Sequence, residues 1–183
     1  GMPIARKTWL ELPGPCAVPL QDAVAAPPRP ERGTWVYSNG NYCALGMLIE
    51  YVTGESLDAA TQHLVFEPAG VDGPHLTSAG TRPGDGPYAG AVSRFDRLGG
   101  AGTWMASTDD LVAILGSVTP ADRVTLTWPA MITDQYGWGH TGTVTGATAC
   151  AWALDDGRTL VAAVVAGNSP ATGGGVCDAV VPA

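Results

Sequence analysis

The 183 residues combine 45% apolar with only 14% charged side chains, enough apolar material for a buried core at a length that suits one domain. Seventeen acidic against nine basic residues leave a formal charge of -8, which argues against a phosphate backbone or an anionic membrane surface as partner, so no nucleic-acid role is expected. The longest unbroken apolar run, Leu160 to Ala166, is far too short to span a bilayer, and Met2 to Lys7 is not followed by a signal-like apolar stretch.

Residues 1–34 read as an irregular segment, because Pro13, Pro15, Pro19, Pro27, Pro28 and Pro30 leave little room for helix. From Asn41 the pattern changes. Ala44, Leu45, Leu48, Ile49 and Val52 recur at helical spacing and Gly54 is a stop, so one amphipathic helix is expected over roughly 42–53. Ser56 can cap a second helix over 57–65, ended by Pro68. Residues 70–98 hold three more prolines and many glycines, and a loop of that length in a compact domain is expected to border a cleft. Ser107-Thr108-Asp109-Asp110 places a hydroxyl cap before first-turn carboxylates and predicts a helix over 111–115; Thr119-Pro120 opens another through about residue 128. After Pro129 the character turns to β. Residues 136–141 are expected to be extended, 147–154 a strand, Asp155-Asp156-Gly157 a hairpin turn and 159–166 the return strand, with a terminal helix from about 175 to 181. Helices first and an antiparallel hairpin last give an α+β fold.

Cys16, Cys43, Cys150 and Cys177 include no Cys-x-x-Cys and form two sequence-local pairs. Cys16 with Cys43 and Cys150 with Cys177 as disulfides would suit a secreted or cell-envelope protein, while four buried thiols would suit a cytosolic one.

Three stretches together carry a resemblance. Glu31-Arg32-Gly33-Thr34-Trp35-Val36-Tyr37-Ser38-Asn39, continuing to Gly54, Leu98 to Leu111 with its Gly-Gly and Ser-Thr-x-Asp-Leu pattern, and Gly139-His140-Thr141-Gly142 stand in this order and register over residues 28–168. They resemble the serine β-lactamase and penicillin-binding-protein superfamily, in its class C β-lactamase, esterase and D,D-peptidase branch. The resemblance implies a partial β-lactamase-like fold over 1–183 as a single domain.

It also implies roles. Tyr37 matches the family's general base or proton relay, Asn39 its carbonyl-binding amide, and His140 the first residue of the strand motif. Thr141, Gly142 and Thr143 match the strand that binds the substrate carboxylate and lines the oxyanion hole, with the backbone near Thr143 and Val144 as donor. Tyr37, Asn39 and His140 are therefore expected to converge on one cleft. The family's nucleophile is the serine of a Ser-x-x-Lys motif, whose amine lies one helical turn from the hydroxyl. This chain has no such motif: its one lysine is Lys7, preceded three positions earlier by Ile4.

Plainer readings of the same residues are available. Tyr37 can pack at a helix entry and Asn39 can cap the helix that follows; His140 can be an ordinary half-buried strand residue. His63 and His75 have no second ligand at suitable spacing, so no metal and no cofactor are expected. Asp109 and Asp110 are helix-start chemistry, since adjacent helical residues point in different directions.

Two functions fit. The chain is a portion or relative of a serine hydrolase acting on a β-lactam, an ester or a D-alanyl peptide through an acyl-serine, or it is a binding or structural module that keeps the family's cleft without chemistry. In the family, the strand over 159–166 has a further neighbour on its outer side, and here the strand is uncharged and lacks the lysines that protect an edge. A covering by residues 3–26, a homodimer, or pairing with a missing N-terminal fragment is therefore expected.

Overall fold

The computed structural model describes residues 38–76, 82–83, 85, 99–102, 104–119, 121–122, 132–134, 137–144, 147–166 and 173–181. They fall into two compact units: one holds the described residues within 1–63, 75–82 and 91–105, the other those within 64–74, 83–90 and 106–183.

In the first unit, helix α1 spans Asn39–Thr53, three residues earlier than its apolar pattern suggests. Ser38 is the reason. Its backbone is extended and its hydroxyl accepts from the Gly40 amide at 3.2 Å, so the cap fixes the start; Gly54, at φ 71, closes the end. The buried face of α1 is not the expected one. Gly40, Cys43 and Gly46 are buried, whereas Leu45, Leu48 and Val52 remain 51%, 53% and 67% exposed. The cause is a close backbone approach: α1 packs on a short 3-10 turn over Gly99–Ala101. A Cβ on Gly100 would lie 2.3 Å from the Tyr42 carbonyl oxygen, and one on Gly46 would lie 3.0 Å from the Gly100 nitrogen. Small residues bring the two backbones together, and the leucines are left on another face.

A second helical run, α2, begins at Leu57 under the Ser56 cap, whose hydroxyl accepts from Ala59. It is α-helical over Leu57–Thr61, π-helical over Gln62–Phe66 and α-helical again over Glu67–Ala69. Pro68 does not end it, contrary to expectation. The π turn resets the register so that Pro68 sits in the first turn of the new α segment, where a missing N–H costs nothing. Gly70, at φ 75, is the stop. The division between the two units falls inside this run. Strand β1, His75–Leu76, pairs antiparallel with β2, Trp104–Met105, and the Asp58 carboxylate holds the Leu76 amide at 2.7 Å.

The second unit is a sheet with a helix on each face. Helix α3, Thr108–Ser117, starts in a capping box: the Ser107 hydroxyl accepts from the Asp110 amide at 3.1 Å and the Asp110 carboxylate accepts from the Ser107 amide at 3.0 Å. Ala121 and Asp122 are helical, with the Thr119 hydroxyl accepting from the Asp122 amide; the rest of the helix expected to about 128 lies outside the described residues. Strands β3 (Ile132–Asp134), β4 (Gly137–Val144), β5 (Ala147–Leu154) and β6 (Leu160–Ala166) form an antiparallel sheet in that order, and α4, Gly173–Val180, follows. The combination of helices and antiparallel sheets is the expected α+β class. Asp156 closes the β5–β6 hairpin by accepting from the Arg158 and Thr159 amides and the Thr159 hydroxyl. Those bonds, the hydroxyl's first, lower its pKa to about 2. The carboxylate therefore supports the turn above the ordinary carboxylate range and loses that role as pH falls toward 2.

Both faces of β5 are covered. Cys150 and Trp152 pack with Val176 and Cys177 of α4, while Ala153 packs with Trp138 of β4 and Leu115 of α3. The Cys150–Cys177 disulfide ties the strand to the helix, and the Trp152 indole donates to the Cys177 sulfur at 3.1 Å. Cys43 is also disulfide-bonded; Cys16, its expected partner, lies outside the described residues.

Among the described residues β6 pairs on one side only, with β5. The Leu154 amide donates to the Thr159 carbonyl, so that pair is hydrogen-bonded and every second residue along β6 repeats it. Val161, Ala163 and Val165 thus face β5 with their backbone groups, and Leu160, Ala162, Val164 and Ala166 turn theirs outward. Residues 3–26, one of the expected coverings, lie outside the described residues.

Two outcomes are expected. Gly100→Ala should destabilise the chain by about 1–3 kcal/mol, the usual cost of overpacking, in a urea unfolding titration; an unchanged midpoint would contradict the close approach. In a strict monomer, the amides of Ala162 and Val164 should exchange with deuterium faster than those of Val161 and Ala163. Equal protection of both sets, with light scattering reporting a dimer, would mean that a second copy covers the edge.

Candidate active site

The sequence motifs distribute over both units. Ser38 and Asn39 belong to the first, and His140, Thr141, Gly142 and Thr143 to the second. Tyr37 lies outside the described residues. Ser38 is 1% exposed and Asn39, the first residue of α1, is half-buried. One turn further, Tyr42 is partly buried, and desolvation pushes its phenol pKa up. It therefore stays protonated at neutral pH and can donate a hydrogen bond but not act as a base. The sequence pattern alone did not single out this second phenol, although its three-residue spacing from Asn39 on a helix puts the two on neighbouring positions.

On β4 the pleat separates the motif. Register places His140 opposite Ala151 and Gly142 opposite Ala149, on the face that carries Trp138, Ala153 and α3. Thr141 and Thr143 stand opposite Cys150 and Thr148, on the face covered by α4. The same alternation sets the backbone. Leu154 bonds toward β6, so the odd-numbered residues of β5 bond toward β4, and Thr141 and Thr143 turn their N–H and C=O groups away from β5. That is the side of β3, whose described residues pair with Gly137–Gly139. Of the two residues expected at the oxyanion donor, the register turns Thr143's amide outward and directs Val144's toward β5.

His140 is half-buried, and its Nδ1 contacts the Thr141 carbonyl at 2.5 Å. A carbonyl only accepts, so in this bond Nδ1 is the donor. The bond also clamps the ring to its own strand.

The glycines of β4 differ in what surrounds them. A Cβ on Gly139 would meet the Ala151 carbonyl oxygen at 2.2 Å and the Trp152 ring at 2.7 Å, so this glycine is required by the neighbouring strand. A Cβ on Gly142 would meet nothing within 4 Å. Gly142 is itself exposed, so no described neighbour requires a glycine there. Among the described residues no group of three or more His, Cys, Asp and Glu side chains could hold a metal, and no helix is long and apolar enough to cross a membrane.

Comparison with solved structures finds the same fold in two amide hydrolases. The D-stereospecific amidohydrolase from Streptomyces sp. matches at TM-score 0.64 and 19% identity over 81% of this chain and 56% of that one. The D-amino acid amidase from Ochrobactrum anthropi SV3 matches at TM-score 0.58 and 20% identity over 79% of this chain and 55% of its own. This chain thus spans little more than half of either, and at such identities the likeness speaks for the fold. A search of curated protein sequences finds no match. The profile of the beta-lactamase family, however, matches residues 10–181, nearly the whole sequence. The chain belongs to the beta-lactamase family.

Proposed function

We propose that this chain carries the Tyr37–Asn39 and His140–Thr143 portions of an acyl-serine hydrolase site, and that its two units act together as one β-lactamase-like domain. The observation that carries the reading is Gly142: an exposed glycine with open space where its side chain would be, next to a histidine clamped on the same strand, in a chain matched along its length by a hydrolase family. The two solved neighbours named for D-amino acid amide and D-stereospecific amide hydrolysis favour a substrate of that kind, a small amide or peptide with a D-configured residue.

In this reading a serine hydroxyl, supplied with its lysine by a segment outside these residues, attacks the substrate carbonyl. Tyr37 relays the proton to the leaving amine, and the Asn39 carboxamide holds the substrate's own carbonyl in register. The Thr143 N–H donates to the attacked oxygen as negative charge develops on it. The His140 ring, bonded through Nδ1 to the Thr141 carbonyl, lies beside the substrate's polar end. Water then cleaves the acyl-serine.

A second reading has one observation in its favour. The chain contains no Ser-x-x-Lys, so by itself it should bind such a substrate without being acylated, and a purely binding role would look the same in an acylation assay.

Two measurements test this. Incubated with a chromogenic β-lactam or an activated D-phenylalanine ester, the chain alone should show no covalent adduct by intact mass; a stoichiometric adduct on any serine would disprove the assignment of the nucleophile to another segment. Gly142→Ala should leave thermal stability within about 0.5 kcal/mol, as for surface changes with no neighbours. It should also reduce saturation-transfer signals from D-phenylalaninamide. Gly139→Ala should instead destabilise by about 1–3 kcal/mol through its backbone clash. Full D-phenylalaninamide binding by a folded Gly142→Ala chain would remove the basis of the site.

A further inference from the structure

Asn39 is followed by Gly40. An asparagine before glycine is the pair most open to spontaneous deamidation, because no side chain shields the glycine nitrogen from the asparagine side-chain carbon. At the start of α1 that nitrogen is engaged: the Gly40 N–H donates to the Ser38 hydroxyl at 3.2 Å. Ser38 and Gly40 are both buried, and helical backbone geometry at Asn39 does not direct its carboxamide onto the next amide.

We propose that Asn39 is a latent modification site, and that Ser38 is the positioning residue that keeps it closed. When the first turn of α1 opens, the Gly40 nitrogen loses its proton to solvent base and attacks Asn39 Cγ. A bond forms from that nitrogen to Cγ, the bond from Cγ to Nδ2 breaks, and ammonia leaves with a proton returned by solvent. Water then adds to either carbonyl of the cyclic imide and gives aspartate or isoaspartate. No oxidant, reductant or cofactor takes part. The rate is set by how often the helix start opens, and Ser38 sets that frequency through its cap. The chemistry is independent of the proposed hydrolase role. If that role holds, the change replaces the amide matched to carbonyl binding with an anion that has no N–H to donate.

The test follows the full chain at pH 8 and 37 °C by peptide mass mapping, with Asn41, in the same helix but before a tyrosine, as internal control. In native buffer Asn39 should convert at least about tenfold more slowly than in urea, where the turn is open. Ser38→Ala should speed conversion at Asn39 about fivefold, the change in opening that loss of a typical hydroxyl cap implies. Ser38→Thr should restore protection, and Gly40→Ala should suppress the reaction in either background. Conversion in the folded wild-type chain as fast as in urea would overturn the proposal, as would a folded Ser38→Ala chain with unchanged kinetics. If Ser38→Ala does not fold, the native-against-urea comparison decides alone.

Discussion

The second unit depends on a strand that packs against a helix on each of its faces. Burying β5 on both sides makes its residue sizes interdependent with those of its neighbours: Trp152 projects toward α4 and occupies the space above Gly139 of β4, so the indole and the missing side chain are one packing decision. Ala151 and Ala153 on the opposite face are small enough to admit Trp138, Leu115 and Leu160. Because β4 is held in register by this packing, the alternation of His140, Thr141, Gly142 and Thr143 between the two faces is fixed as well. The candidate site inherits its geometry from the core beneath it.

Much of this was legible in the sequence because the signals were local and strong. Alternating residues bounded by Asp155-Asp156-Gly157 located β5 and its return strand within a residue, and Ser107 with Asp110 announced α3 through a reciprocal cap. Strands of two or three residues, β1, β2 and β3, carry too few alternations to be seen. Pro68 misled because a π turn upstream shifts the hydrogen-bond register, a tertiary adjustment with no sequence period. The buried face of α1 departs from its apolar pattern for a related reason: helical spacing of leucines identifies a helix but not its partner, and here glycines set the partner. The motif match named His140, Thr141, Gly142 and Thr143 as neighbours on one strand, and they are neighbours on β4. The division of the motif between two faces, and the outward turn of the Thr143 amide rather than that of Val144, follow only from strand pairing.

The two units leave different kinds of surface. In the first, an apolar stripe on α1 is exposed alongside the buried glycine face; in the second, β6 pairs among the described residues with β5 alone and turns every second residue's backbone groups to its other side. Both belong naturally with the proposal that a further segment contributes the nucleophile, since a residue that must reach the β4 surface needs a scaffold of its own. The solved neighbours are nearly twice as long as the part of them this chain matches.

The Cys150–Cys177 bond joins residues 27 apart and so encloses the end of β5, the hairpin, β6 and the first half of α4 in one covalent ring. Tension applied at the C-terminus would pass through Cys177 directly to the central strand, bypassing the hairpin altogether. The returning strand carries none of that load, and peeling β6 from its neighbour cannot lengthen the chain between the two sulfurs. A protease that cut the exposed Asp155–Arg158 turn would likewise release no fragment, because the two ends of the cut would remain joined through the bridge.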